Sequence, residues 1–217
     1  MHADDLTPAT RVLTPVADGH HTERMGPGWR SQQRAQLLAR RMAVPLGVRR
    51  RHNTVITEIL LQSFAVRPGA IVALYWPFKG EFDPRFLVRQ WRATGARVAL
   101  PVVVRKDAPL EFREWWPGVA TRKGVFDLPV PLDTQVLRPD ILLIPPVGFD
   151  AQGYRLGYGG GYYDRTLAAM HPPPLKIGVA FELSRIASIH PQPHDIPMDV
   201  VVTETGLHSP REFIQKR

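Results

Sequence analysis

The sequence predicts an α/β fold in which a mostly parallel central sheet is covered by helices on both faces. Three observations predict it: short β-branched apolar runs recur along the chain, helix-length segments separate them, and Gly, Pro and Asp punctuate the boundaries. Arg30 to Met42 reads as a basic helix that stops near Pro45. Thr54 to Phe64 reads as a second helix with Val55, Ile56, Ile59, Leu60 and Phe64 on one apolar face, ended by Arg67-Pro68-Gly69. Ile71 to Trp76 is expected as strand, Pro84 to Ala93 as helix with the proline in its first turn, and Ala96 to Val104 as strand again. Glu111 to Trp115 is expected as an edge strand and Leu128 to Pro139 as a proline-rich connection. Ile141 to Ile144, Lys176 to Phe181 and Val200 to Thr203 supply further strands, and Tyr163 to Met170 a helix.

With 217 residues and 44% hydrophobic content, the chain can bury one sizeable core, and a single domain over residues 29–217 is expected. Residues 1–28 mix Asp, Thr, Pro and Gly without an apolar stretch, so a flexible tail is expected there rather than a signal peptide. The adjacent His20 and His21 lack further ligands at zinc spacing and read as solvated. No run approaches a membrane span, and the absence of cysteine excludes disulfides and thiol catalysis and fits a cytoplasmic protein. The 28 Lys and Arg against 20 Asp and Glu leave a formal charge of +8, which favours anionic partners. Nucleic acid is not expected among them, because the basic residues cluster around Arg30 to Arg51 without aromatic ladder, zinc spacing or ribonucleoprotein motif.

The segment Arg155-Leu156-Gly157-Tyr158-Gly159-Gly160-Gly161-Tyr162-Tyr163-Asp164-Arg165 joins apolar chain to a helix through glycines. Such a loop lets backbone N–H groups approach a phosphate at a helix N-terminus, although a tight βα turn would use the same glycines. It is neither of the better-known phosphate loops. A dinucleotide fingerprint from Gly157 would need glycine at Tyr162, and Walker A would need Gly-Lys-Ser/Thr.

This loop, preceded by Pro145-Pro146-Val147-Gly148-Phe149-Asp150, resembles the 5-formyltetrahydrofolate cyclo-ligase family. Glu81-Phe82-Asp83 resembles that family's acidic segment. His194-Asp195 followed by Met198-Asp199-Val200-Val201-Val202-Thr203-Glu204 resembles its C-terminal signature. The resemblance spans roughly residues 30–205 and implies a three-layer α/β/α fold of the NagB/RpiA/CoA-transferase type. It also implies an enzyme that uses ATP to activate the formyl oxygen of 5-formyltetrahydrofolate, after which N10 attacks, the ring closes and phosphate leaves with 5,10-methenyltetrahydrofolate as product. ATP and Mg²⁺ are the implied co-substrate and metal, the partners are small molecules, and a monomer is expected.

The resemblance assigns ATP contacts to Arg155, Leu156, Gly157, Tyr158, Gly159, Gly160, Gly161, Tyr162 and Tyr163, with Arg155, Tyr162 and Asp164 at the chemistry. Asp164 and Asp199 stand where Mg²⁺ ligands are implied; a helix N-terminal charge and a turn residue after Pro197 are the plain alternatives. Arg30 and Arg34, four apart on the first helix, stand where the family has two ATP-contacting basic residues, the first usually lysine. A solvated basic face is the other reading of that pair. The folate side is implied at Phe78, Glu81 and Asp83, with Tyr158 and Tyr162 contributing, although Glu81 and Asp83 also precede a helix whose dipole they would favour. Trp76, Trp91, Trp115 and Trp116 read as packing. The alternative function, suggested by arginine at position 30, is a non-catalytic paralogue that binds nucleotide or folate.

Overall fold

The computed structural model describes residues 28–210. Helices α1 (Trp29–Met42) and α2 (Leu46–Ser63) lead into β1 (Ile71–Ala73), α3 (Arg85–Ala93), β2 (Arg97–Val102) and β3 (Glu111–Glu114). A hairpin of β4 (Thr121–Lys123) and β5 (Pro129–Pro131) follows, then β6 (Val136–Leu137) and β7 (Ile141–Ile144). A second hairpin, β8 (Gly148–Phe149) with β9 (Arg155–Leu156), leads to α4 (Tyr162–Ala169), β10 (Leu175–Val179), β11 (Val200–Thr203) and β12 (Gly206–His208).

The main sheet has the order β12-β11-β10-β7-β1-β2-β3-β6. Its middle, from β11 across to β2, is parallel, while β12 and β3 join it antiparallel and β6 pairs antiparallel with β3. Period-two alternation sends each strand's side chains into separate layers. Val72, Val98, Leu143, Ile177 and Val202 pack with Ile56 and Leu60 of α2 and Leu87 and Trp91 of α3. Their neighbours Ala73, Ala99, Leu142, Ile144 and Val201 pack on the opposite side with Leu167 of α4. Helices therefore cover both faces of the sheet, as buried parallel strands require. A smaller cluster seats α1 through Leu37 against Val147, Leu156 and Ile189.

Several elements differ from the sequence expectation for local reasons. Helix α2 begins at Leu46, because Pro45 does more than stop α1: in extended geometry it stands at the N-cap of the next helix. Val55 is exposed, since it lies about 100° around the helix from Ile56, at the margin of the buried stripe. Strand β1 ends at Ala73, after which Tyr75 and Trp76 leave the ladder and reach the pocket described below. The segment at Glu111 is not the sheet edge, because β6, within the expected proline-rich connection, pairs on its far side. Of the tail expected over residues 1–28, residues 1–27, with His20 and His21, lie outside the described residues, and Gly28 is the N-cap of α1. Among the described residues no helix is long and apolar enough to cross a membrane.

Candidate active site

Chain order reverses between β1 and β7: β1 continues to β2 on one side, while β7 continues to β10 and β11 on the other. In open parallel sheets, the crevice at the carboxyl ends of strands flanking such a switch point is where ligands bind. A cavity of about 710 Å³ lies there, lined by Tyr75 and Trp76 after β1, Val103 after β2, and Pro145 after β7.

One end of the cavity is built for an anion. The glycine loop is entered from β9 rather than from the buried strand β7 at Ile141, so the β8–β9 hairpin aims it across the sheet's carboxyl edge. Gly159 at φ 97° and Gly161 at φ 64° are left-handed, and Gly161 is the N-cap of α4. The Arg34 guanidinium lies 3.4 Å from where a β-carbon on Gly159 would stand, so it rests directly against the loop backbone there. Among the described residues no carboxylate forms a salt bridge with Arg34, and burial together with neighbouring Arg30 holds its pKa below the usual guanidinium range. An uncompensated guanidinium against a glycine loop at a helix N-terminus favours a bound anion.

The other end is aromatic and carries a buried carboxyl group. Phe78 stacks with Phe126 at a centroid distance of 6.0 Å and lies 5.9 Å from Tyr158. Phe126 is 69% exposed and sits at φ 58° in the turn of the β4–β5 hairpin, projecting a large apolar ring to solvent at the pocket wall. Behind these rings Glu81 accepts a hydrogen bond from the Tyr158 hydroxyl at 2.6 Å and from the Phe78 N–H at 2.8 Å. Arg41 stands 3.6 Å from the same carboxylate and donates to the Tyr158 hydroxyl at 2.6 Å and to the carbonyls of Lys79 and Pro146 at 3.0 and 3.3 Å. Burial pushes the Glu81 carboxyl up to about 7, against the opposing pull of Arg41 and the two hydrogen bonds. Tyr158, whose hydroxyl binds Glu81 from within the glycine loop, connects the two ends.

The raised Glu81 pKa fixes the sign of a pH effect. The folded state holds this proton more tightly than the unfolded chain, so stability falls as pH rises from about 4.5 towards 7. The shift corresponds to roughly 3 kcal/mol lost across that window. In Glu81→Gln the loss is expected to vanish, seen as a flatter plot of unfolding free energy against pH; parallel plots for the two proteins would reject the assignment.

The residues singled out from sequence are not all brought together. Arg34, Phe78, Glu81, Tyr158, Tyr162, Tyr163 and Asp164 line the cavity with the glycines. Arg155 lines it too, but its guanidinium is nearly buried, donating to Asp164 Oδ1 at 2.7 Å and to the Ile196 carbonyl. Asp164 Oδ1 also accepts the Ile196 N–H at 3.1 Å, so both bonds to its carboxylate fall on the same oxygen. Leu156 also borders the cavity, its side chain buried beside Leu37 and its carbonyl accepting the Val147 N–H at 2.8 Å. Arg30 also lines the cavity and is paired there with Asp195 at 2.6 Å.

Asp83 and Asp199 are absent from the cavity wall. Asp83 takes the Arg85 N–H at 3.0 Å and pairs with its guanidinium at the start of α3, the helix-terminal role that was the alternative. Asp199 binds the Lys176 ammonium at 2.8 Å and the Lys176 N–H at 2.8 Å, joining β10 to the approach of β11. Trp76, read as packing, stands on the wall with Arg85 stacked 4.5 Å from its ring.

Sequence reading missed Arg41 and Phe126. Arg41 lies four residues after buried Leu37, so helical spacing places it on the inward face, a signal masked by the surrounding arginines. Phe126 is a lone aromatic in a glycine-led turn, with no periodicity to mark it.

A family model described as the 5-formyltetrahydrofolate cyclo-ligase family matches residues 27–204. A 5-formyltetrahydrofolate cyclo-ligase from Mycolicibacterium smegmatis is 34% identical over 188 residues, covering 82% of this chain and 95% of its own length. One from Escherichia coli K12 is 37% identical over 144 residues, covering 63% of this chain and 79% of its own. Among solved structures, the 5,10-methenyltetrahydrofolate synthetase of Aquifex aeolicus is similar with a TM-score of 0.72 and 31% identity over 84% of this chain and 93% of that one. That of Mycoplasma pneumoniae is similar with a TM-score of 0.67 and 26% identity over 81% and 98%.

Proposed function

The chain belongs to the 5-formyltetrahydrofolate cyclo-ligase family, and from that premise we propose how its pocket divides the reaction between its two ends. The protein converts 5-formyltetrahydrofolate to 5,10-methenyltetrahydrofolate with ATP as co-substrate. The observation that carries the assignment of the two ends is their continuity: an anion-binding loop and an aromatic, carboxyl-bearing wall share one cavity at the sheet's switch point.

The triphosphate lies at the glycine loop, where the amides of residues 159–161 and the Arg34 guanidinium meet its oxygens. The pterin lies at the aromatic end, its ring against Phe78 and Phe126 and its N–H groups towards Glu81. This brings the formyl oxygen to the γ-phosphorus in line with the departing ADP. Transfer forms the new P–O bond as the bond to ADP breaks; N10 then adds to the activated carbon, closing the ring, loses its proton, and the C–O bond to phosphate breaks to leave the methenyl product. No covalent enzyme intermediate is required, and the protein contributes orientation and charge compensation.

Mg²⁺ is part of this proposal. Asp164 would hold it through Oδ2, the oxygen not used by Arg155 and Ile196, and the ion would neutralise phosphate charge. No grouping of three or more His, Asp or Glu suited to a metal ion occurs among the described residues, which agrees with an ion held mainly by phosphate oxygens and water.

Two substitutions test the division of the pocket. Arg34→Ala is expected to raise the KM for ATP about tenfold while leaving the KM for 5-formyltetrahydrofolate within about twofold, and Phe126→Ala to do the reverse. Steady-state kinetics with each substrate varied in turn would contradict the division if both variants shifted the same constant.

A further inference from the structure

The glycine loop ends on two adjacent glycines, Gly160 and Gly161, and a peptide unit between glycines can flip with little steric resistance. The flip exchanges what the loop shows to the cavity. A trans peptide carries its carbonyl oxygen and its N–H on opposite sides, so one orientation of the Gly160–Gly161 unit offers the cavity a donor and the other an oxygen. Among the described residues the cis peptide bond is His171–Pro172, so this unit is trans. A phosphate is met by the donor and repelled by the oxygen.

Arg165, one turn into α4, selects between the two. Its Nη2 donates to the Gly160 carbonyl at 2.6 Å, and its Nη1 lies 2.7 Å from where a β-carbon on Gly161 would stand, so the guanidinium rests against the loop backbone. The guanidinium also lies 5.1 Å from the centre of the Tyr162 ring, and that ring reaches back to within 2.8 Å of the β-carbon position of Gly160. Gly160, Gly161 and Tyr162 line the cavity, whereas Arg165 is not on its wall. The carbonyl is thus drawn outward, and the Gly161 N–H, which has no acceptor among the described residues, is left on the cavity side. Little competes for the guanidinium. Its Nε has no hydrogen-bond partner, and its one salt bridge among the described residues, at 4.0 Å, is to Asp107, whose side chain is 72% exposed.

We infer that Arg165 is a positioning residue for ATP: by holding the Gly160 carbonyl outward it presents the Gly161 N–H to the triphosphate, without touching the nucleotide itself. The inference rests on the proposed placement of the triphosphate at the glycine loop. The Gly161 N–H then joins the first-turn N–H groups of α4, which have no helical acceptors, in one donor surface. A cation just outside the wall also attracts phosphate at a distance, so the test separates geometry from charge.

The full-length protein is compared with Arg165→Met and Arg165→Lys by steady-state kinetics and by ¹H–¹⁵N spectra of the Gly161 amide with the β,γ-imido analogue of ATP at saturation. In the parent the Gly161 proton is expected to move downfield as its N–H meets a phosphate oxygen. Arg165→Met keeps the apolar stem and removes the donors. Its Gly161 shift is expected to be less than half of the parent's, with the KM for ATP raised about tenfold, the effect of one charge-assisted hydrogen bond, and the KM for 5-formyltetrahydrofolate within about twofold. Arg165→Lys can still donate to the carbonyl and is expected to recover most of both readouts together. A role confined to stabilising α4 would leave the ligand-induced Gly161 shift as it is in the parent. A full Gly161 shift in Arg165→Met with a raised KM for ATP would therefore overturn the inference in favour of charge alone, and an unchanged KM would overturn it outright. A Gly161 amide that does not respond to the analogue in the parent would overturn the placement of the phosphates itself, and the inference with it.

Discussion

Arg41→Ala is expected to lower the unfolding free energy by about 3–5 kcal/mol, the cost typical of removing one partner from a buried ion pair. Both side chains of the pair are nearly inaccessible, at 4% for Arg41 and 3% for Glu81. Arg41 also donates to the carbonyls of Lys79 and Pro146 and to the Tyr158 hydroxyl, so its loss leaves three acceptors without that donor. Glu81 would respond by taking up a proton, because Arg41 is the largest influence opposing its burial. The Tyr158 hydroxyl, which now donates to Glu81, would then face a carboxyl group that has its own proton to place. The pterin end should loosen with it, raising the KM for 5-formyltetrahydrofolate. Urea denaturation of the two proteins measures the stability change, and a loss below about 1 kcal/mol would mean that the cluster is solvated enough not to need its cation.

Asp164→Asn is the second large effect. The substitution keeps an oxygen that can accept from Arg155 and the Ile196 N–H, so the fold and the pterin wall should survive. What it removes is negative charge beside a buried guanidinium and the oxygen proposed for Mg²⁺. Turnover is therefore expected to fall by about 10²–10³, the scale of losing one preorganised electrostatic contact in a transition state, with the KM for 5-formyltetrahydrofolate within about threefold. Product formation at saturating substrates reads this directly. Turnover equal to the parent's would reject a role for Asp164 in the chemistry and leave it as the clasp between Arg155 and Ile196.

What was legible in the sequence follows from the range of the interactions involved. Ile141–Ile144 and Val200–Thr203 were readable to the residue, because buried parallel strands are short β-branched and apolar runs, here bounded by Asp140 and Pro145 and by Asp199 and Glu204. The glycine loop was readable because its chemistry is local, with glycines, helix start and Asp164 all lying within ten residues. Arg30 was readable as a charge on a helix but not as a partner of Asp195, which lies 165 residues away and meets it only once β10 and β11 are in place. Glu81 was placed near the folate because Glu81-Phe82-Asp83 resembles the family's acidic segment. Its burial depends on Arg41 and Tyr158, which come from α1 and the glycine loop. Asp83 and Asp199 carried the right chemistry for a site, yet both are consumed by neighbours, Arg85 and Lys176, that local pattern does not rank above a ligand. Phe126 is the converse case, an aromatic with no pattern around it that the β4–β5 hairpin carries to the pocket wall.

If one pocket joins ATP cleavage to closure of the folate ring, the two must be coupled in a single assay. Methenyl-product absorbance is followed when purified protein is mixed with 5-formyltetrahydrofolate, ATP and Mg²⁺, with each omitted in turn and ADP measured in parallel. Multiple turnovers are expected, with one ADP formed per product and no signal when ATP is left out. Product formation without ATP, or a flat trace from folded protein that still binds both substrates, would contradict this coupling.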